Sequence, residues 1–206
     1  MSASVIAISL QKGGVGKTTT AINLGAALAE LGFRTLIIDI DPQGNATSGL
    51  GVQPPEDAPT TYEVFRREAS LSEVIEPTAE RNLFVAPAPA QQELAGVESE
   101  LVADPFSHNI LKEGMASVRD DFDFILIDCP PALGRLTVNA FIASNEVLAP
   151  VQCQYFALEG LRDLLKIIER VKESGLNPGL EVGHFLITMF EKSKNLSTEE
   201  IGRAHV

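Results

Sequence analysis

Four consecutive apolar residues, Val5-Ile6-Ala7-Ile8, lead into Gln11-Lys12-Gly13-Gly14-Val15-Gly16-Lys17-Thr18-Thr19-Thr20, and that glycine loop opens directly onto a helical pattern. No other stretch of the sequence restricts the possible folds so severely. Glycines at 13, 14 and 16 let backbone N–H groups turn inward as a cradle for anionic oxygens, and a helix beginning near Lys17 adds the positive end of its dipole. The strict pattern G-x-x-x-x-G-K-[ST] is not met, because its first position is Gln11. The physical requirements are met all the same: Lys17 is placed to neutralise β- and γ-phosphates, and the Thr18 hydroxyl to ligate Mg²⁺. The plain structural alternative is a glycine-rich tight turn beside two surface lysines. Strand before, helix after and Lys-Thr at the right offset favour a nucleotide cradle formed by Gly13, Gly14, Val15, Gly16, Lys17, Thr18 and Thr19.

Further short apolar runs follow at Leu36-Ile37-Ile38, Phe124-Ile125-Leu126-Ile127, Val147-Leu148-Ala149 and Phe185-Leu186-Ile187. Continuous rather than alternating apolarity marks strands buried on both faces, and so a parallel sheet. Ala21, Leu24, Leu28 and Leu31 predict a helix over 18–31 closed by Gly32; Leu161, Leu164, Leu165 and Ile168 predict another over 158–174 closed by Gly175. Strands alternating with helices specify a doubly wound α/β domain, with a mostly parallel sheet flanked by helices and right-handed crossovers. At 206 residues, 45% of them hydrophobic, the chain is long enough for one sizeable core. Pro54-Pro55 and Ala86-Pro87-Ala88-Pro89 punctuate a middle third whose helical patterns are shorter, and no internal repeat or domain break is visible.

The formal net charge of -12 argues against a protein that coats nucleic acid by bulk charge. The charge is regional, however. Residues 1–55 carry three acids and three bases, residues 56–123 fifteen acids and five bases, and residues 124–206 ten and eight. Both ends are thus close to neutral and free to meet polyanions through a local patch. The two cysteines, Cys129 and Cys153, form no C-x-x-C pair and no disulfide framework, so a reducing compartment is expected. The first five residues hold no basic segment and the apolar run after them is too short for a signal or a membrane span, which predicts a cytoplasmic protein.

Two of the apolar runs end in acids: Asp39-Ile40-Asp41-Pro42-Gln43-Gly44-Asn45 follows the second, and Asp128-Cys129-Pro130-Pro131 closes the Phe124 run. In an open parallel sheet the ligand crevice lies beyond the carboxyl ends of the strands, the same edge at which the glycine loop leaves the first one. Phosphoryl transfer to water needs one carboxylate to hold the metal's water shell and one to orient the attacking water. Asp128 suits the metal side and Asp41 the water side, while Asp39 reads more simply as a structural cap. Cys129 reads as a small buried side chain. Lys12 has no evident duty toward its own phosphates; displaced to the rim, it is placed to reach a nucleotide held by a facing copy, which implies a dimer. Its plain alternative is a solvated lysine.

Taken in order, Lys12-Gly13-Gly14-Val15-Gly16-Lys17-Thr18-Thr19, Asp39-Ile40-Asp41-Pro42-Gln43-Gly44-Asn45, Ile127-Asp128-Cys129-Pro130-Pro131, Pro150-Val151-Gln152-Cys153-Gln154 and Ala157-Leu158-Glu159-Gly160-Leu161 resemble the ParA/Soj chromosome and plasmid partition ATPases, which carry a deviant Walker A loop in a P-loop NTPase fold. The resemblance covers the chain to about Glu200. It implies an ATP- and Mg²⁺-dependent homodimer that binds DNA without sequence preference, resides on the nucleoid, and is stimulated to hydrolyse by a ParB-type centromere-binding protein. By motif, Lys12 is the lysine acting across the dimer, Gly13 lies where two copies approach, Lys17 and Thr18 bind phosphate and Mg²⁺, Asp41 supports water attack and Asp128 is the Walker B carboxylate.

The family often places a DNA-contacting arginine where this chain has Ser193, flanked by Lys192 and Lys194, which are expected to substitute as phosphate contacts. Arg162, Lys166 and Arg170 stand four apart on one predicted helix, an arrangement that repels unless an anion covers it or neighbours such as Asp163 and Glu169 relieve it. Residues 1–200 are expected to form one ATPase domain lacking part of the family's C-terminal region. Residues 201–206 can be encoded by a common sequencing adapter and read as a non-native tail, against the alternative of a true polar C-terminus. A MinD-like positioning ATPase is the near alternative and would require an amphipathic membrane helix. An iron-sulfur carrier of the nitrogenase iron-protein type shares the loop but needs paired exposed cysteines bridging subunits, for which Cys129 is poorly placed.

Overall fold

The computed structural model describes residues 2–89, 94–152 and 157–190. β1 (Ser4–Ile8) passes through the glycine loop into α1 (Lys17–Glu30), and β2 (Thr35–Asp39) follows. The middle third holds α2 (Asn45–Gly49), α3 (Thr61–Arg66), α4 (Leu71–Val74), the two-residue β3 (Glu76–Pro77), β4 (Leu83–Ala86), α5 (Leu94–Ala103), a 3₁₀ turn at Ser107–Asn109 and α6 (Ile110–Met115). Then come β5 (Phe124–Asp128), α7 (Arg135–Ala143), β6 (Glu146–Gln152), α8 (Ala157–Glu173) and β7 (Glu181–Thr188).

The strands form one sheet in the order β3-β4-β2-β5-β1-β6-β7, parallel throughout except at the β3–β4 edge. Side chains alternate between its two faces. Val5, Ala7, Leu36, Ile38, Ile125 and Ile127 pack with residues of α3, α5, α6, α7 and α8, whereas Ile6, Ile8, Ile37 and Leu126 pack with α1 and α2. Both faces are covered, which is why the central strands read as uninterrupted apolar runs and why the doubly wound expectation holds.

The helix expected to stop at Gly32 does so by a Schellman turn. Gly32 takes φ +94, its N–H donates to the Ala29 carbonyl at 2.9 Å, and the Phe33 N–H donates to that of Leu28 at 3.1 Å. From sequence, Ala86-Pro87-Ala88-Pro89 reads only as punctuation, and no strand is expected over Leu83–Ala86. The structure puts β4 there, parallel to β2, with Leu83, Val85 and Ala86 buried. Four residues hard against a proline pair give too short a run to stand out from the surrounding loops.

Candidate functional site

Strand register brings the candidate residues to one edge. Ile8 of β1 and Asp39 of β2 both pair with Asp128 of β5, so the loop after Ile8, the turn after Asp39 and the Asp128 carboxylate leave the sheet side by side. In the loop, Gly14 and Gly16 adopt φ +72 and +94, conformations that a side chain would strain, and Gly16 serves as the N-cap of α1. Gly13 is exposed, and a Cβ built there meets no atom within 4 Å. Among the described residues, then, neither backbone twist nor space calls for glycine at 13.

Lys17 is buried despite its charge, and its ammonium donates to the Lys12 carbonyl at 3.0 Å. Burial lowers its pKa, with Asp128 and Asp41 opposing the shift. Val15 is buried, Thr18 half-buried and Thr19 exposed, with its carbonyl accepting from the Asn23 amide at 2.7 Å. Two clasps hold the loop from elements distant in the chain. The Thr188 hydroxyl at the end of β7 donates to the Val15 carbonyl at 2.8 Å, and α8 approaches so closely that a Cβ on Gly160 would stand 3.2 Å from the Gln11 carbonyl oxygen.

The three acids are distinct in their surroundings. Asp39 is buried and saturated: one oxygen accepts from the Thr47 N–H at 2.8 Å and hydroxyl at 2.7 Å, the other from the Asp41 N–H at 3.2 Å. Burial pushes its pKa up to about 6 against those bonds. This matches the structural-cap reading. Asp41, 6% exposed, accepts from the Gln43 N–H at 3.0 Å, and its carbonyl from the Gly44 N–H at 2.9 Å. Asp128 is fully buried, and neither of its oxygens has a hydrogen-bond partner among the described residues. Burial pushes it up to about 7; the Asp39 charge adds to the rise, while Thr18 and Lys17 oppose it. Cys129 beside it is sealed in, its thiol pushed well up by burial, so it is neither a nucleophile nor a ligand shared between subunits.

Arg162, Lys166 and Arg170 are all exposed or half-exposed on α8, with Lys166 paired to Asp163 at 2.9 Å. Lys192 and Lys194 lie outside the described residues, as does Cys153. Three contributors escape a reading of the sequence: Thr47, Thr188, and Glu98 of α5, whose carboxylate caps the N–H groups of Arg135 and, at 3.2 Å, Leu136 at the start of α7. Each acts on a partner tens of residues or more away, or through a backbone group, and leaves no local pattern. No helix of the described residues is long and apolar enough to cross a membrane.

Over residues 3–182 the chain matches the AAA domain family. It is 47% identical over 197 residues to the sporulation initiation inhibitor protein Soj of Bacillus subtilis (strain 168), spanning 96% of this chain and 77% of that protein. To the chromosome partitioning protein ParA of Myxococcus xanthus (strain DK1622) it is 46% identical over 197 residues, spanning 96% and 69%. The chain belongs to the Soj/ParA family of partition ATPases. The crystal structure of cobyrinic acid a,c-diamide synthase from Mycobacterium smegmatis with bound ATP analogue and magnesium superposes with a TM-score of 0.90 at 35% identity, covering 98% of this chain and 82% of that one. The partition-ATPase fold is therefore shared with a protein named for different chemistry, and the details of function rest on the site.

Proposed function

We propose that this Soj/ParA-family chain binds and hydrolyses ATP with Mg²⁺, dimerises on ATP, tethers itself to DNA without sequence preference, and is released when a ParB-type partner stimulates hydrolysis. The observation that carries the nucleotide part is Asp128. A buried carboxylate with no well-formed hydrogen bond among the described residues is costly, and its place beside Thr18 and Lys17 at the end of the phosphate loop suits the water shell of a divalent cation. Thr18 and Asp128 would hold Mg²⁺, which supplies charge neutralisation along the phosphates when bound. Lys17 would exchange the Lys12 carbonyl for phosphate oxygens, and the inward N–H groups of 13–16 would bind the remainder. Asp41, tied down at one oxygen by Gln43, would use the other to orient the attacking water.

Dimerisation is supported by Gly13, whose missing side chain meets no need among the described residues and leaves room for a second backbone, and by the neighbouring Lys12 at the rim. The bases of α8 supply a local patch that an acidic protein needs in order to meet DNA. The deciding experiment is a titration with a fluorescent ATP analogue in the presence of magnesium. Lys17→Ala should abolish binding, and undiminished affinity in that variant would remove the phosphate-loop assignment.

A further inference from the structure

We infer that Thr47 is a positioning residue for hydrolysis, locking the turn that aims Asp41 by joining the Asp39 carboxylate to the exit of β4. Asp41 sits in a loop between two fixed points, the end of β2 at Asp39 and the start of α2. A helix of five residues cannot hold itself in place. Thr47 holds it. Its N–H and hydroxyl both donate to one oxygen of Asp39, at 2.8 and 2.7 Å, while its hydroxyl oxygen accepts the Ala88 N–H at 2.9 Å. An amide N–H can only donate, so the hydroxyl proton is committed to Asp39 and the group has no rotational freedom left.

The other oxygen of Asp39 accepts the Asp41 N–H at 3.2 Å, and the Asp39 carbonyl accepts the Thr61 hydroxyl at 3.0 Å. Thr61 in turn donates its N–H to the Pro87 carbonyl at 2.9 Å, so the segment leaving β4 is anchored to the same hub twice. The chain of contacts runs from Ala88 through the Thr47 hydroxyl and the Asp39 carboxylate to the peptide of Asp41. Every link is buried, and none touches the phosphate loop. Removing the hydroxyl should therefore blur the aim of Asp41 and leave the nucleotide cradle intact.

This inference rests on the reading of Asp41 as the water-orienting group, and the test separates the two. Single-turnover hydrolysis and ATP-analogue affinity are measured on the full chain for wild type and for Asp41→Ala, Thr47→Val, Thr47→Ser and Ala88→Pro, the last removing the N–H that Thr47 accepts while leaving the hydroxyl in place. Thr47→Val should slow hydrolysis roughly tenfold or more with affinity held within about threefold, and Thr47→Ser should recover to within about threefold of wild type. Hydrogen exchange at the Asp41 amide should accelerate in Thr47→Val and not in Thr47→Ser. Wild-type turnover in Thr47→Val, or equal losses in the Val and Ser variants, overturns the inference; a parallel loss of affinity does so too. If Thr47→Val fails to fold, Ala88→Pro decides, and wild-type turnover there is equally fatal. Normal turnover in Asp41→Ala would instead strike at the assignment of Asp41 itself.

Discussion

Asp128 keeps two oxygens away from water with no well-formed hydrogen bond among the described residues, and the chain bears the cost whenever that carboxylate is ionised. Its pKa is raised from 3.8 to about 7 by burial first and by Asp39 second, and that of Asp39 to about 6. Between about pH 4 and 7 the folded chain holds protons that the unfolded chain has already given up, so these groups make the fold lose stability as pH rises through that window. For Asp128 the loss is on the order of 2–4 kcal/mol. Measured without nucleotide or magnesium, Asp128→Asn should raise the Tm at pH 8 by roughly 5 °C or more, with the gain shrinking toward pH 5. A thermal-melt series showing the gain unchanged across that range would contradict the account. The acid's identity and its place at a strand end were legible in the sequence. Its isolation was not, because the scarcity of hydrogen bonds is a property of everything packed around it.

At the scale of elements, the phosphate loop is held by pieces far from it in the chain. α8 lies against the Gln11 carbonyl at Gly160, where even a methyl would stand 3.2 Å from the oxygen. Gly160→Val should displace the loop and weaken ATP-analogue binding several-fold while leaving most of the melting temperature in place, since the residues of α8 that build the core, Leu164, Ile168 and Val171, are untouched. Unchanged affinity would mean that the loop absorbs the intrusion. The sequence announced β1, α1, β2, β5 and α8 clearly, each through an apolar run or a helical period long enough to be distinctive. It did not announce β4, or the short helices between Asn45 and Met115. Those pieces exist because a neighbour accepts them: β4 has β2 beside it, α2 is pinned by Thr47 to Asp39, and the longer α7 likewise receives its cap from Glu98. Tertiary contact decides where local preference is weak.

For the molecule as a whole, the uneven charge matters more than its sum. The acids concentrate between residues 56 and 123, while Arg162, Lys166 and Arg170 sit four residues apart along α8. If that face meets DNA, replacing all three with glutamine should weaken binding alike for unrelated sequences and flatten the slope of log K against log salt by about 0.9 for each phosphate no longer neutralised. An unaltered slope would take DNA off this face. The bond between the Lys17 ammonium and the Lys12 carbonyl links these scales. One lysine's charge rests on the other's peptide, so a triphosphate that draws the Lys17 ammonium toward itself would pull on the Lys12 peptide as well. If the rim meets a second subunit as proposed, filling the cradle and releasing the peptide of Lys12 would fall together, so that assembly would be timed by the ligand.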